Sequence, residues 1–98
     1  MKILAFPELK LISIQDVNEV LGQEKTQTYA DEADGLITAR VKNGRSTRWP
    51  SYEIQTITAA RMARATRDEQ RALVKALMAR RPEIFAYWKA AALSVAAL

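Results

Sequence analysis

Four cations lie within nine consecutive residues near the middle of the chain: Arg40, Lys42, Arg45 and Arg48. Guanidinium and ammonium groups bind anions, and a row of them at this density suits the phosphates of a nucleic acid backbone. The pair Asn43-Gly44 interrupts the row, and both residues tolerate the positive φ that a type I′ hairpin turn requires. The sequence therefore predicts a basic β-hairpin that is either a solvated surface ribbon or a phosphate-binding one.

The residue types exclude several kinds of chemistry. The chain contains neither Cys nor His, which excludes disulfides, zinc-thiolate sites, thiol nucleophiles and imidazole acid-base catalysis. Asp31, Glu32 and Asp34 are close in sequence, but side chains at these positions of a helix do not converge on one point. We therefore expect neither an enzyme nor a cofactor, metal or small-molecule substrate site.

Charge is distributed unevenly along the chain, whose formal net charge is +4. Residues 1–39 hold three cations and seven carboxylates, a balance of −4, whereas residues 40–98 hold twelve cations and four carboxylates, a balance of +8. A polyanion such as double-stranded DNA is therefore expected to approach the hairpin and the residues that follow it.

The length of 98 residues and the hydrophobic content of 49% suit one small core. Residues 1–6, which are apolar except for Lys2, are followed by Pro7 and Glu8 before a segment of signal-peptide length can form. The apolar run of residues 84–98 contains Lys89 and is shorter than the roughly 20 residues of a membrane span. We expect a cytoplasmic protein with no membrane partner.

Two short helices are predicted before the hairpin. Ser13 opens a capping box ahead of the first helix, residues 14–21, and Gly22 follows as a left-handed stop. The second helix is predicted over residues 24–34 and ends before Gly35. Two helices of this length joined by a tight turn are typical of a helix-turn-helix.

The hairpin strands are predicted over residues 36–41 and 46–49, where β-branched residues are concentrated. Trp49 at the end of the second strand is expected to pack against the helices rather than stack on a base. A third helix should begin at Pro50-Ser51. Its apolar positions are Ile54, Ile57, Ala60 and Met62.

A fourth helix is predicted from a second capping box at Thr66 to about Arg80, where Pro82 should end it. Its buried stripe would comprise Leu73, Val74, Leu77 and Met78, and its exposed face Arg67, Arg71 and Lys75. The last segment, residues 83–98, carries an apolar stripe at helical spacing: Ile84, Tyr87, Trp88, Ala91 and Val95. Such a stripe suits docking of another protein, including a second copy of the chain.

Several short motifs occur in a fixed order along the chain: residues 11–17, Gly22, Thr28-Tyr29, Gly35, Val41-Lys42, Gly44-Arg45-Ser46 and Arg48-Trp49-Pro50. In this order the chain resembles, over residues 9–81, the AlpA-type phage and prophage regulators, which are winged helix-turn-helix proteins akin to the MerR and excisionase DNA-binding domains. The resemblance implies a mostly α fold with a small β-hairpin wing. It further implies a winged helix-turn-helix DNA-binding domain over residues 9–65, followed by a helical extension over residues 66–98 that packs on it or mediates self-association.

The resemblance places Lys25, Thr26 and Thr28 near the major groove and Arg45, Ser46 and Arg48 in the wing. Together with the charge pattern, it leads to the following predicted contacts. Lys25, Gln27 and Thr28 of the second helix would contact base edges in the major groove. Phosphate or minor-groove contacts would come from the hairpin residues Arg40, Lys42, Arg45, Ser46 and Arg48. The leading hypothesis is therefore a transcriptional regulator or excisionase-like factor that binds double-stranded DNA, as a homodimer or by cooperative self-association.

A second hypothesis follows from the acidic second helix. Asp31, Glu32 and Asp34 occupy positions where the AlpA-type helix is basic, and carboxylates near DNA repel phosphate. The chain would then be a protein-interaction adaptor that keeps the winged-helix fold without sequence-specific DNA binding.

Overall fold

The computed structural model describes residues 9–97, so the expectations for residues 1–8 and Leu98 lie outside the described part of the chain. The described chain is mostly helical, with a small antiparallel sheet. Its elements in chain order are β1 (Leu11–Ile12), α1 (Ile14–Leu21), α2 (Lys25–Ala33), β2 (Val41–Asn43), β3 (Ser46–Pro50), α3 (Ser51–Met62), α4 (Arg67–Ser94) and a closing 3-10 turn (Val95–Ala97).

The first two helices confirm the predictions made from their end signals. The Ser13 hydroxyl accepts a hydrogen bond from the Asp16 backbone N–H, and the Asp16 carboxylate accepts one from the Ser13 N–H, both at 3.2 Å. Gly22 ends α1 at a φ of 64°, and Gly35 follows α2 at a φ of 73°. Both glycines take the left-handed conformation that closes a helix without a Cβ penalty.

The sheet has the strand order β1-β3-β2 and corrects the predicted turn by one residue. Asn43 pairs with Ser46, so the loop consists of Gly44 and Arg45 rather than Asn43 and Gly44. Gly44 has a φ of 64°, whereas neither Asn43 nor Arg45 has a positive φ, which is the pattern of a type II′ turn. The register follows from Trp49, because a shift of one residue would turn this buried ring to the other face of the sheet.

The strand predicted over residues 36–41 is wrong except at its last residue, because residues 36–40 are irregular. Leu36, Ile37 and Thr38 are nevertheless buried. Buried backbone carbonyls need hydrogen-bond donors, and here side chains supply them in place of a neighbouring strand. The carbonyls of residues 36, 38 and 39 accept hydrogen bonds from Arg61 (3.4 Å), Trp49 (2.8 Å) and Arg81 (2.6 Å) respectively.

Helix α4 continues through Pro82 to Ser94, so the predicted end near Arg80 is wrong. Residues before and after the proline both contact α3. Arg81 forms an ion pair with Glu53 of α3, and the Trp88 ring meets Tyr52 edge-on at 5.6 Å. These contacts offset the backbone hydrogen bond that a proline removes from a helix.

One core joins the sheet with α1, α3 and α4, and Tyr29 of α2 packs against it. It comprises Val17, Ile37, Trp49, Tyr52, Ile54, Ile57, Val74 and Leu77. Trp49 is fully buried, as predicted. Met62, which was predicted among the apolar positions of α3, is 80% exposed and lies outside the core. The stripe predicted for α4 is confirmed, since Leu73 and Met78 pack against this core beside its buried members. No helix within residues 9–97 is long and apolar enough to cross a membrane.

Candidate nucleic-acid interface

Thr28 was predicted to contact a base, but its side chain is fully buried where α1 meets α2. Its hydroxyl donates a hydrogen bond to the Asn18 side-chain carbonyl and accepts one from the Gln23 amide at 3.0 Å. Thr28 could contact DNA only if the two helices separated, which would leave these polar groups without partners. The prediction is therefore corrected, and Thr28 connects the two helices of the helix pair.

Asp31 is also buried, and its charge is balanced within the protein. One carboxylate oxygen accepts hydrogen bonds from Arg61 of α3 at 3.2 Å and from Gln23 at 3.0 Å, and the other accepts one from Gln27 at 2.7 Å. This carboxylate therefore ties α2 to α3. Gln27 remains exposed, with its amide engaged by Asp31.

Glu32 is held by Arg40, the residue that leads into the hairpin. The Arg40 Nε lies 3.0 and 3.1 Å from the two carboxylate oxygens of Glu32, and the Arg40 backbone N–H donates to the same group at 2.8 Å. Burial alone would raise the pKa of Glu32, but the hydrogen bonds and charge of Arg40 outweigh it, so that the pKa lies below its ordinary value. Only 15% of the Glu32 side chain is exposed.

Arg40, for which a phosphate contact was predicted, is engaged within the protein. Its guanidinium lies 4.7 Å from the centre of the Tyr29 ring and 5.8 Å from that of Trp49, in addition to its ion pair with Glu32. These contacts join the base of the hairpin to one side of α2. Lys25 lies on the same side, with its ammonium group 5.8 Å from the centre of the Tyr29 ring.

The outward face of α2 is small and uncharged. Thr26, Ala30 and Ala33 are exposed and lie at positions i, i+4 and i+7, opposite the buried Thr28 and Asp31. We call these three residues the α2 strip. Ala30 and Ala33 were not predicted as site residues, because the number of carboxylates on α2 does not reveal the direction in which they point; the helical spacing of Thr26, Ala30 and Ala33 is visible in the sequence.

The hairpin formed by β2 and β3, which we call the ribbon, carries its exposed cations at the tip. Lys42 and Arg45 are exposed and form no ion pair with any residue in the described range 9–97. Ser46 and Arg48 are partly buried, and the Arg48 guanidinium donates to the Thr47 carbonyl at 2.9 Å.

Strand alternation divides the predicted ribbon residues between two faces. Lys42 is paired with Thr47 and lies on the face of Trp49, whereas Arg48 is paired with Val41 on the opposite face. Arg45 lies in the loop between the strands. The structure thus brings Lys42 and Arg45 together at the tip and places Arg48 away from Lys42.

Comparisons with protein-family models, with curated proteins and with solved structures find no match for this chain. Within residues 9–97, no group of His, Cys, Asp or Glu side chains is arranged to hold a metal ion. Function is therefore inferred from the shape and charge of α2, the ribbon and the helices beside them.

Proposed function

We propose that the chain is a winged helix-turn-helix DNA-binding protein of the AlpA type, a transcriptional regulator or excisionase-like factor that binds double-stranded DNA through α2 and the ribbon. One observation carries the proposal. Asp31 and Glu32 are engaged by Arg61 and Arg40, so the α2 strip is uncharged and lies beside a ribbon whose two exposed cations have no ion-pair partner within residues 9–97.

The α2 strip suits close contact with base edges. The side chains of Thr26, Ala30 and Ala33 are small enough to let the helix backbone approach the floor of the major groove, where thymine presents a methyl group. The Thr26 hydroxyl adds a hydrogen-bonding group, and Lys25 and Gln27 lie on the two sides of the strip. The strip would supply sequence preference.

The ribbon would supply affinity that does not depend on sequence. Lys42 and Arg45 at its tip are free to neutralise phosphates or to enter the minor groove. Because Arg40 fixes the base of the ribbon against Tyr29 and Glu32, the tip is held at a defined place relative to α2. Binding in this arrangement costs little additional ordering of the protein.

The test is a fluorescence-anisotropy titration of a labelled mixed-sequence duplex at several salt concentrations. Each phosphate contact contributes about 0.9 to the slope of log K against log salt, so we expect the double variant K42A/R45A to lower the slope by about one to two units. The matched control is R80A/K89A, which removes two exposed cations further along α4, one at its middle and one toward its end, and should leave the slope unchanged. Absence of salt-dependent duplex binding by the unaltered protein would refute the proposal.

A protein-interaction adaptor is the second candidate, and the distal end of α4 favours it. Tyr87, Leu93 and Val95 are 71%, 61% and 65% exposed, which is unusual for large apolar side chains on one helix end. Sedimentation of the full chain and of the variant L93E/V95E at low and high salt distinguishes the candidates. Self-association that the variant abolishes, together with no duplex binding by either protein, would favour the adaptor.

A further inference from the structure

The first turns of α4 come close to α2 on the side that faces away from the ribbon, through a side-chain hydrogen bond and a shared depression. The Arg71 Nε donates a hydrogen bond to the Asp34 carbonyl at the end of α2, at 3.0 Å. Arg67 and Gln70 of α4 and Gln27 of α2 line one open polar depression of about 290 Å³. The start of α4 is therefore a neighbour of the exposed face of α2.

This part of α4 carries a row of cations. Arg67, Arg71 and Lys75 are all exposed and follow one another at intervals of four residues, so they lie along one side of the helix over about 12 Å. We call them the α4 stripe. Arg67 and Lys75 form no ion pair within residues 9–97, and Arg71 lies 3.5 Å from Asp68, whose side chain is 97% exposed.

Three carboxylates lie near the three cations of the α4 stripe, and they differ in how they are engaged. Glu69 is occupied by the capping box, in which it accepts the Thr66 backbone N–H at 2.8 Å, and these hydrogen bonds hold its pKa below the ordinary value. Asp68 is the exposed carboxylate beside Arg71, and an ion pair of such exposure contributes little. Asp34 is exposed at the end of α2.

The dimensions of DNA explain why cations on this side of α2 matter. The major groove is about 12 Å wide, and a helix with its side chains is about 10–12 Å across, so a helix in the groove has a phosphate row along each side. In this protein the ribbon lies on the Tyr29 and Glu32 side of α2, and the α4 stripe lies on the Gln27 and Asp34 side.

We propose that the α4 stripe is a second DNA-backbone contact, which binds the phosphates along the edge of the major groove opposite to the one that the ribbon contacts. The inference rests on the proposed function, because it places α2 in the groove. It assigns to the beginning of α4 a binding role beyond its contribution to the core, and it makes α2 the middle of three DNA-contacting elements.

The experiment uses the full chain and the same labelled duplex, titrated across a range of salt concentrations. R67A/R71A removes two contacts and should lower the salt slope by about one to two units, with weaker binding at every salt concentration. R67K/R71K keeps both charges and should retain most of the slope, which separates a phosphate contact from a structural role of Arg71. D68N removes the exposed carboxylate of the stripe and should strengthen binding severalfold at low salt.

The matched control is again R80A/K89A. Lys89 follows Arg71 by 18 residues, which is five helical turns, so it lies about 27 Å further along α4 from α2. An unchanged slope for R67A/R71A, with a lowered slope for K42A/R45A, would overturn the inference and leave the proposed function standing. Equal effects of R67A/R71A and R80A/K89A would overturn it too, because the cations would then act through net charge. No duplex binding by the unaltered protein would overturn both.

Discussion

The ion pair between Glu53 and Arg81 should make the largest single electrostatic contribution to the cohesion of α3 and α4. Glu53 is fully buried, and Arg81 is 9% exposed. The Arg81 Nε and Nη2 lie 2.8 and 2.5 Å from the two carboxylate oxygens, and the Tyr52 hydroxyl donates to the same carboxylate at 3.3 Å. Replacing Glu53 by Gln keeps the shape of the side chain but leaves the guanidinium buried without a counter-charge.

The expected cost of E53Q follows from this burial. Removing one partner of a buried ion pair costs about 3–5 kcal/mol, because the remaining charge has lost its compensation. A domain of this size unfolds with a free energy of about 5–15 kcal/mol, so the variant should lose a large share of its stability. At about 4–8 °C per kcal/mol, its thermal midpoint should fall by at least about 12 °C.

The double variant E53L/R81M distinguishes a stranded charge from a merely altered core. Apolar residues of similar volume often replace a buried pair without loss, so the double variant should lie within about 1–2 kcal/mol of the unaltered protein. Thermal and denaturant unfolding, followed by circular dichroism, measure all variants, with E83Q on the exposed face of α4 as the matched control. An E53Q variant that loses less than about 1 kcal/mol would refute the reasoning.

Two further predictions concern stability. Arg64 follows α3 with a left-handed φ of 62°, a conformation that glycine adopts without strain. R64G should therefore raise the unfolding free energy by about 0.5–1 kcal/mol, whereas R64A keeps the strain. Equal denaturant midpoints for the two variants would contradict this prediction. Burial, reinforced by Glu53, raises the pKa of Tyr52 to about 12. The unfolded phenol ionises near pH 10, so the free energy of unfolding that Tyr52 contributes below about pH 10 should decline toward pH 12. Y52F should lack this part of the decline. Coincident profiles of unfolding free energy against pH for the two proteins would contradict the prediction.

Features decided by neighbouring residues could be predicted from the sequence. The capping boxes at Ser13 and Thr66 involve partners three residues away, and the structure confirms both. Gly22 and Gly35 ended their helices as predicted because a left-handed backbone is a local requirement. The burial of Trp49 also followed from its type and position.

Features decided by distant partners could not be predicted. Arg61 contacts Gln23 across 38 positions, and Arg81 contacts the carbonyl of Ala39 across 42. Side-chain donors of this kind replaced the strand predicted over residues 36–41, and no local pattern announces them. Likewise, Pro82 predicts a helix end locally, and only the contacts of the residues around it explain why α4 continues.

The acidic composition of α2 illustrates how a count of charges differs from the electrostatics of a surface. Asp31, Glu32 and Asp34 are close together at the end of this helix, and in an isolated helix all three would repel a phosphate. In the folded chain Asp31 faces Arg61 and Glu32 faces Arg40, so each acid neutralises a cation that would otherwise need its own partner. Most cations that remain exposed near α2 lie beside it, and Lys25 is the exposed cation within it. Under the proposed function, a helix of this kind would approach DNA through flanking charge, with affinity supplied by the ribbon and the α4 stripe and sequence preference by uncharged side chains.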